Sequence, residues 1–243
     1  DHTLLNDFNN QQVTFDKTQS TWGYGEPKKW EDYKDARFFD FLAYMPYQAN
    51  TANTEKQASI TIQTDAAKNT ETYTLSVPYN PTTYESASPF VFDSKNAPII
   101  CALPEHREVK DADGTKKSFD HTIRFKFDQT LIGYKLLFKL DPKMGAIRQF
   151  HIKKVQITGE KIPTSGTITR NFTYNKKTQE WTASGIQWTN ITLQNLTKDN
   201  PVIIPFKETV VTSTDYAQWG ETFYTIPYAA FEPTIQVTYD VEM

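Results

Sequence analysis

Apolar and polar residues alternate along much of this 243-residue chain. Tyr73, Leu75 and Val77 alternate with Thr74 and Ser76 until Pro78 ends the run, and Ile123, Phe125 and Phe127 alternate with Arg124 and Lys126. Leu136 and Phe138 lie between Lys135 and Lys139, and Pro142 stops that run. Ile235, Val237, Tyr239 and Val241 alternate with Gln236, Thr238 and Asp240. A period of two sends one set of side chains into a core and the other into water, so each run predicts a half-buried strand. Phe150 and Ile152 share one phase, whereas Val155 and Ile157 share the other. One extra residue at Lys153-Lys154 reconciles them, which predicts a β-bulge. Further strands are expected over 60–63, 99–103, 168–174, 186–193, 202–206 and 223–226. Turn chemistry separates them at 65–69, 111–114, 141–145, 175–177 and 198–201. A short helical turn fits 31–36, but no segment carries an amphipathic 3.6-residue stripe of three or four turns.

The aromatic residues are unevenly spread. Nine of the 34 fall within 22–47, a stretch without Ser, Thr, Cys or His. That mixture builds a core or a sticky surface and supplies neither a hydroxyl nor a thiol nucleophile. Within it, Phe38-Phe39-Asp40-Phe41-Leu42-Ala43-Tyr44 followed by Met45-Pro46 predicts a strand buried between two layers. The polar, Asn/Thr-rich stretch 48–57 is expected to be a surface loop. About a dozen short strands exceed what one immunoglobulin-size sandwich holds. The expectation is an all-β fold of two tandem antiparallel β-sandwich domains, 1–159 and 160–243. The break falls in 159–166 (GEKIPTSG), where Gly, Pro, Thr and Ser cluster.

Charge narrows the choice of partners. The part through Thr158 has 20 basic and 20 acidic residues, and the remainder has 6 and 9. Neither has the positive excess that a phosphate backbone requires, so nucleic-acid binding is not expected. No apolar run approaches the ~18 residues that span a bilayer. The single cysteine, Cys101, lies in Ile99-Ile100-Cys101-Ala102-Leu103, which predicts a small buried hydrophobe and excludes an intramolecular disulfide framework. The chain begins at Asp1 rather than Met, the mark of a processed or trimmed form. Any signal peptide or lipid-bearing cysteine then belongs upstream.

Candidate chemistry is sparse. Asp111-Ala112-Asp113-Gly114 opens like a calcium loop, but Lys116 and Thr122 stand where the turn Gly and the bidentate Glu belong, so a hairpin turn is expected. His2, His106, His121 and His151 lack the spacing of a helical metal site. There is no Gly-x-Ser-x-Gly elbow and no Gly-rich phosphate loop. Paired carboxylates of a glycoside hydrolase need only meet in space, and nothing in the sequence marks a cleft for them. No catalytic residue, cofactor or metal is therefore expected. Arg124, Lys126, Lys135, Lys139, Lys153 and Lys154 read as a solvated sheet face with edge-guarding lysines, or as a patch for an acidic glycan or partner. Trp22, Trp30, Trp181, Trp188 and Trp219 read as core or interface, or as stacking platforms for sugars. Asn171, Asn190 and Asn195 head sequons, which matter only in a host that glycosylates them.

In combination these stretches resemble the fimbrillin-like family, the pilin subunits and anchors of lipoprotein-derived bacterial fimbriae. Trp22, Trp30 and Phe39-Asp40-Phe41-Leu42-Ala43-Tyr44-Met45-Pro46 are similar to its tryptophan and "F-x-A-Y-x-P" strand. The stretch 119–127 (FDHTIRFKF) resembles its strand opening "F-x-H", and 150–159 resembles the strand that closes the first domain. The segments 222–227 and 235–241 resemble its late "IP" segment and "V-x-Y" strand. Family members usually begin with an additional strand upstream, and many continue beyond the position of Met243, so the second domain is read as open to further strands. The resemblance implies export as a lipoprotein, residence at the outer membrane and cell surface in a fimbrium, and assembly with other fimbrial subunits by donor-strand addition. It leaves open whether the role is shaft, tip or anchor. For that assembly Ile235, Val237, Tyr239 and Val241 are the candidate residues, with inward faces lining a groove edge. The alternative is a monomeric surface glycan-binding lipoprotein that uses exposed tryptophans.

Overall fold

The computed structural model describes residues 9–25, 33, 35–48, 57–83, 88–111, 113–117, 122–145 and 148–242. The fold is all-β and its paired strands are antiparallel. In chain order the first strands are β1 (Thr14–Asp16), β2 (Thr21–Gly23), β3 (Phe38–Phe41), β4 (Tyr44–Met45), β5 (Ser59–Asp65) and β6 (Thr70–Tyr79). Then come β7 (Ile99–Cys101), β8 (Glu105–Glu108), β9 (Phe127–Gln129), β10 (Ile132–Phe138) and β11 (Gln149–Asn175). The last are β12 (Glu180–Ala183), β13 (Gln187–Leu196), β14 (Val202–Ile203), β15 (Thr209–Val211), β16 (Ala217–Thr225) and β17 (Glu232–Glu242). The one α-helix among the described residues is the single turn Pro142–Gly145, and no helix there is long and apolar enough to cross a membrane.

Two units make up the chain and interleave in sequence. The first comprises 1–77, 99–128 and 169–185; the second comprises 78–98, 129–168 and 186–243. The expected division into 1–159 and 160–243 does not coincide with them, because 159–166 lies inside the continuous strand β11. Ile162, Pro163 and Gly166 are buried there, whereas a linker would be solvated. Gly159, at φ +146°, gives the backbone of Glu232 room to approach: a Cβ would sit 2.9 Å from its carbonyl oxygen. Gly159 and Gly166 here mark close approach of neighbouring backbone within a continuous strand.

Strand β6 shows the period of two most plainly: Glu71, Tyr73, Leu75, Val77 and Tyr79 are buried, and the residues between them are half-exposed. The strand runs through Pro78, which was expected to end it. Its ladder with β5 stops at Ser59↔Ser76, so the missing N–H of Pro78 costs no bond to that neighbour. Asp65 closes the β5–β6 hairpin by accepting from the Lys68 N–H at 3.1 Å. Asn175 starts the β11–β12 hairpin by accepting from the Lys177 N–H at 2.9 Å. At the turn expected over 111–114, the described residues Asp113 and Gly114 stand in turn and bend geometry: the Gly114 N–H donates to the Asp111 carbonyl at 3.0 Å and Asp113 accepts from the Thr115 N–H at 2.9 Å.

Two expected strands differ from those observed. The run 38–44 is split by Leu42-Ala43 into β3, paired with β8, and β4, paired with β7. Within it only Phe39 is fully buried, so it is not a strand sandwiched between layers. Ile123 and Phe125 stay half-buried between exposed Arg124 and Lys126, yet regular pairing begins only at Phe127. The expected helical turn at 31–36 falls largely outside the described residues, as do most of 48–57, Trp30, His2 and His121.

The second unit has a contiguous core of Phe90, Ile152, Val155, Ile157, Ile162, Leu196, Ile204, Val211, Trp219 and Phe223. Trp219 stacks on Phe206 at 3.5 Å, and Tyr134 stacks on Phe223 at 5.5 Å. The bulge appears where the phase change predicts it. Ile152 pairs with Tyr239 and Lys154 with Thr238, which leaves Lys153 as the extra residue. Both apolar pairs of β11 thereby point into the core.

Candidate functional site

The strand edge β17 is the site to which the sequence points. It pairs with β11 over its whole length, from Gln149↔Glu242 to Glu160↔Glu232, and no other strand pairs with it among the described residues. Directly opposed residues of an antiparallel pair share a face. Val241, Tyr239, Val237 and Ile235 lie opposite Phe150, Ile152, Val155 and Ile157, the apolar face of β11. The four expected residues therefore do share the inward face.

Burial divides them. Val237 is packed against the core. Ile235 is 42% exposed, Tyr239 51% and Val241 40%. These three extend the core face past its cover, although the Tyr239 ring meets Phe150 at 5.2 Å. Val237 is partly buried, and the other three form an apolar margin beside an edge that no further strand pairs with among the described residues.

The outer face of β17 is polar, with Gln236 accepting from Gln156 Nε2 at 2.5 Å. Its end is held electrostatically. His151 lies 3.4 Å from Glu208 through Nδ1 and 3.4 Å from Glu242 through Nε2. Lys153, the bulged residue, reaches Glu208 at 2.5 Å and Asp240 at 3.5 Å. Hydrogen bonding from Lys153 holds the Glu208 carboxyl below the usual range and in turn raises the Lys153 ammonium. Lys153 is thus part of an ion-pair group and not of an open basic patch.

Sequence reasoning missed a polar cluster in the first unit. Asp40 Oδ1 accepts from Trp181 Nε1 at 2.9 Å and lies 2.8 Å from His106 Nδ1. Buried Glu71 pairs with Lys176 at 2.7 Å. Burial raises the Tyr73 phenol above its ordinary range, with the charges of Glu71 and Asp40 adding to it. Arg170, also buried, donates to Asp128 at 2.6 Å and to the Cys101 carbonyl at 3.1 Å. The partners are distant in sequence, and the one local hint is that Glu71 shares the phase of Tyr73, Leu75 and Val77. Among the described residues no three His, Cys, Asp or Glu side chains are grouped to hold a metal ion. Of the described tryptophans, Trp181 and Trp188 spend their indole N–H on Asp40 and the Thr130 carbonyl, and Trp219 is buried. Trp22 is 62% exposed and stands against Phe15 at 5.2 Å on the β1–β2 hairpin.

Comparison with protein-family models, with curated proteins and with solved structures returned no match.

Proposed function

We propose that this chain is a structural, adhesive fimbrial subunit, or a tip or anchor component, that assembles on the bacterial surface by strand addition. On this reading it is exported as a lipoprotein, performs no catalysis, and consists of two units each built as a β-sandwich. The observation that carries the proposal is β17: an eleven-residue edge that no further strand pairs with among the described residues, with Ile235, Tyr239 and Val241 uncovered on the core side. An added strand would satisfy the backbone groups along that edge and cover the apolar margin together. Completing the burial of three such half-exposed side chains is worth about 1 kcal/mol each. The motif resemblance to the fimbrillin-like family supports the same reading.

Two substitutions test it, because the residues differ in burial. Tyr239→Glu charges an exposed position and is expected to leave the melting temperature nearly unchanged while filaments on cells carrying the variant are lost. Val237→Asp places a charge against the core and is expected to lower stability by about 2–4 kcal/mol as well. Electron microscopy of the cells and thermal melting of the purified proteins read both effects. Filaments and melting unchanged in both variants would remove β17 from assembly.

A further inference from the structure

The second unit has another open strand edge, and it carries the opposite charge. β10 pairs with β16 on one side, and no strand pairs with its other side among the described residues. Tyr134, Leu136 and Phe138 pack against the core, while Lys135, Leu137 and Lys139 are exposed on the outer face, Leu137 by 53%. The ladder with β16 is irregular because Phe223 faces Tyr134 and Trp219 faces Leu136. The extra residues therefore belong to β16, and β10 alternates without interruption. No acidic residue occurs from 129 to 140.

β17 is the complement. Glu232, Asp240 and Glu242 lie on its outer face, and no Lys or Arg occurs from 227 to 243. The Asp240 and Glu242 side chains remain 69% exposed despite their contacts with Lys153 and His151. We infer that β10 of one copy of this chain pairs antiparallel with β17 of another copy. This inference rests on the strand-addition reading and names its partner. With Lys135 opposite Asp240, Glu242 lies on the diagonal and Leu137 faces Thr238. On the other face Leu136 and Phe138 meet Tyr239 and Val237, so both apolar stripes join. Like edges do not combine as well. Two β17 edges bring only carboxylates together and two β10 edges only ammonium groups, and like charges directly opposed are unfavourable. The pairing joins two different surfaces, so it is heterologous and propagates unless its rotation closes.

Charge reversal in trans tests this by sedimentation. Wild-type protein is expected to associate as its concentration rises. Lys135→Glu/Lys139→Glu and Asp240→Lys/Glu242→Lys are each expected to weaken association at least tenfold with little change in melting. An equimolar mixture of the two is expected to regain it, because each then supplies the edge the other lacks. If the lysine pair beside Lys153 lowers the melting temperature, Asp240→Asn/Glu242→Gln replaces it, with association several-fold weaker. Wild-type protein that stays monomeric, or association indifferent to all these changes, overturns the inference. Hydrogen exchange separates that failure from the failure of strand addition itself. Protection of the 235–241 amides by a synthetic peptide of alternating apolar residues, added to monomeric protein, leaves strand addition standing without β10 as the donor. No protection in that experiment removes both.

Discussion

Cys101 shows how far a single residue can be read from its neighbours. Its flanking Ile99, Ile100 and Leu103 predicted burial, and the side chain is completely buried. Burial pushes the thiol up to about 11, opposed by the Ala43 N–H that reaches Sγ at 3.4 Å. The folded thiol therefore holds its proton after the unfolded one, near 9, has lost it. The resulting stability is complete below about pH 9 and is lost as pH rises through about 11. Wild-type protein should lose on the order of 2 kcal/mol more than Cys101→Ala between pH 8 and pH 11.5, read from urea midpoints. The raised Tyr73 phenol is common to both proteins and cancels in the difference. A folded protein at pH 8 should also leave the thiol unalkylated by iodoacetamide. Glu71 marks the limit of such reading: it shares the phase of Tyr73, Leu75 and Val77, but nothing in the sequence pointed to its burial with Lys176 of the β11–β12 hairpin.

At the scale of elements, patterns that repeat locally were legible and those decided by tertiary approach were not. The phase change in β11 located a bulge at Lys153-Lys154 because two apolar pairs must reach one core. Removing Lys153 leaves Phe150, Ile152, Val155 and Ile157 in one continuous alternation that matches β17 one to one. Removing Gln156 instead puts Ile157 out of phase with β17. The first deletion is expected to cost less than the second, by about 2 kcal/mol or more in chemical denaturation. The run 38–44 was read as one strand because nothing in its composition reveals that Leu42-Ala43 separates two partners, β8 and β7. The run 123–126 kept its alternation of burial without the expected ladder, since alternation fixes faces and not the presence of a neighbour.

At the scale of the molecule, the all-β class followed from the density of period-two runs, whereas the division into units did not. A Gly/Pro/Ser/Thr cluster fits both a solvated linker and a strand closely packed by its neighbours, and only burial separates them. Cutting between 159 and 160 severs β11 within its ladder to β17 and removes Ile162, Leu196, Trp219 and Phe223 from the core that Ile152 and Ile157 share. Fragments 1–159 and 160–243 are each expected to lack the cooperative unfolding transition of the whole chain, measured by circular dichroism on heating. The site followed the same division. The phase of Ile235, Val237, Tyr239 and Val241 was legible, but the uncovering of three of them depends on which strands stand beside β17.

The eleven-pair ladder between β17 and β11 also has a mechanical meaning. Tension drawn along the axis of β17 shears all of those backbone bonds at once, whereas a pull across the sheet peels them one after another. A tether attached through this strand would hold best against forces running lengthwise, as in a thread under flow.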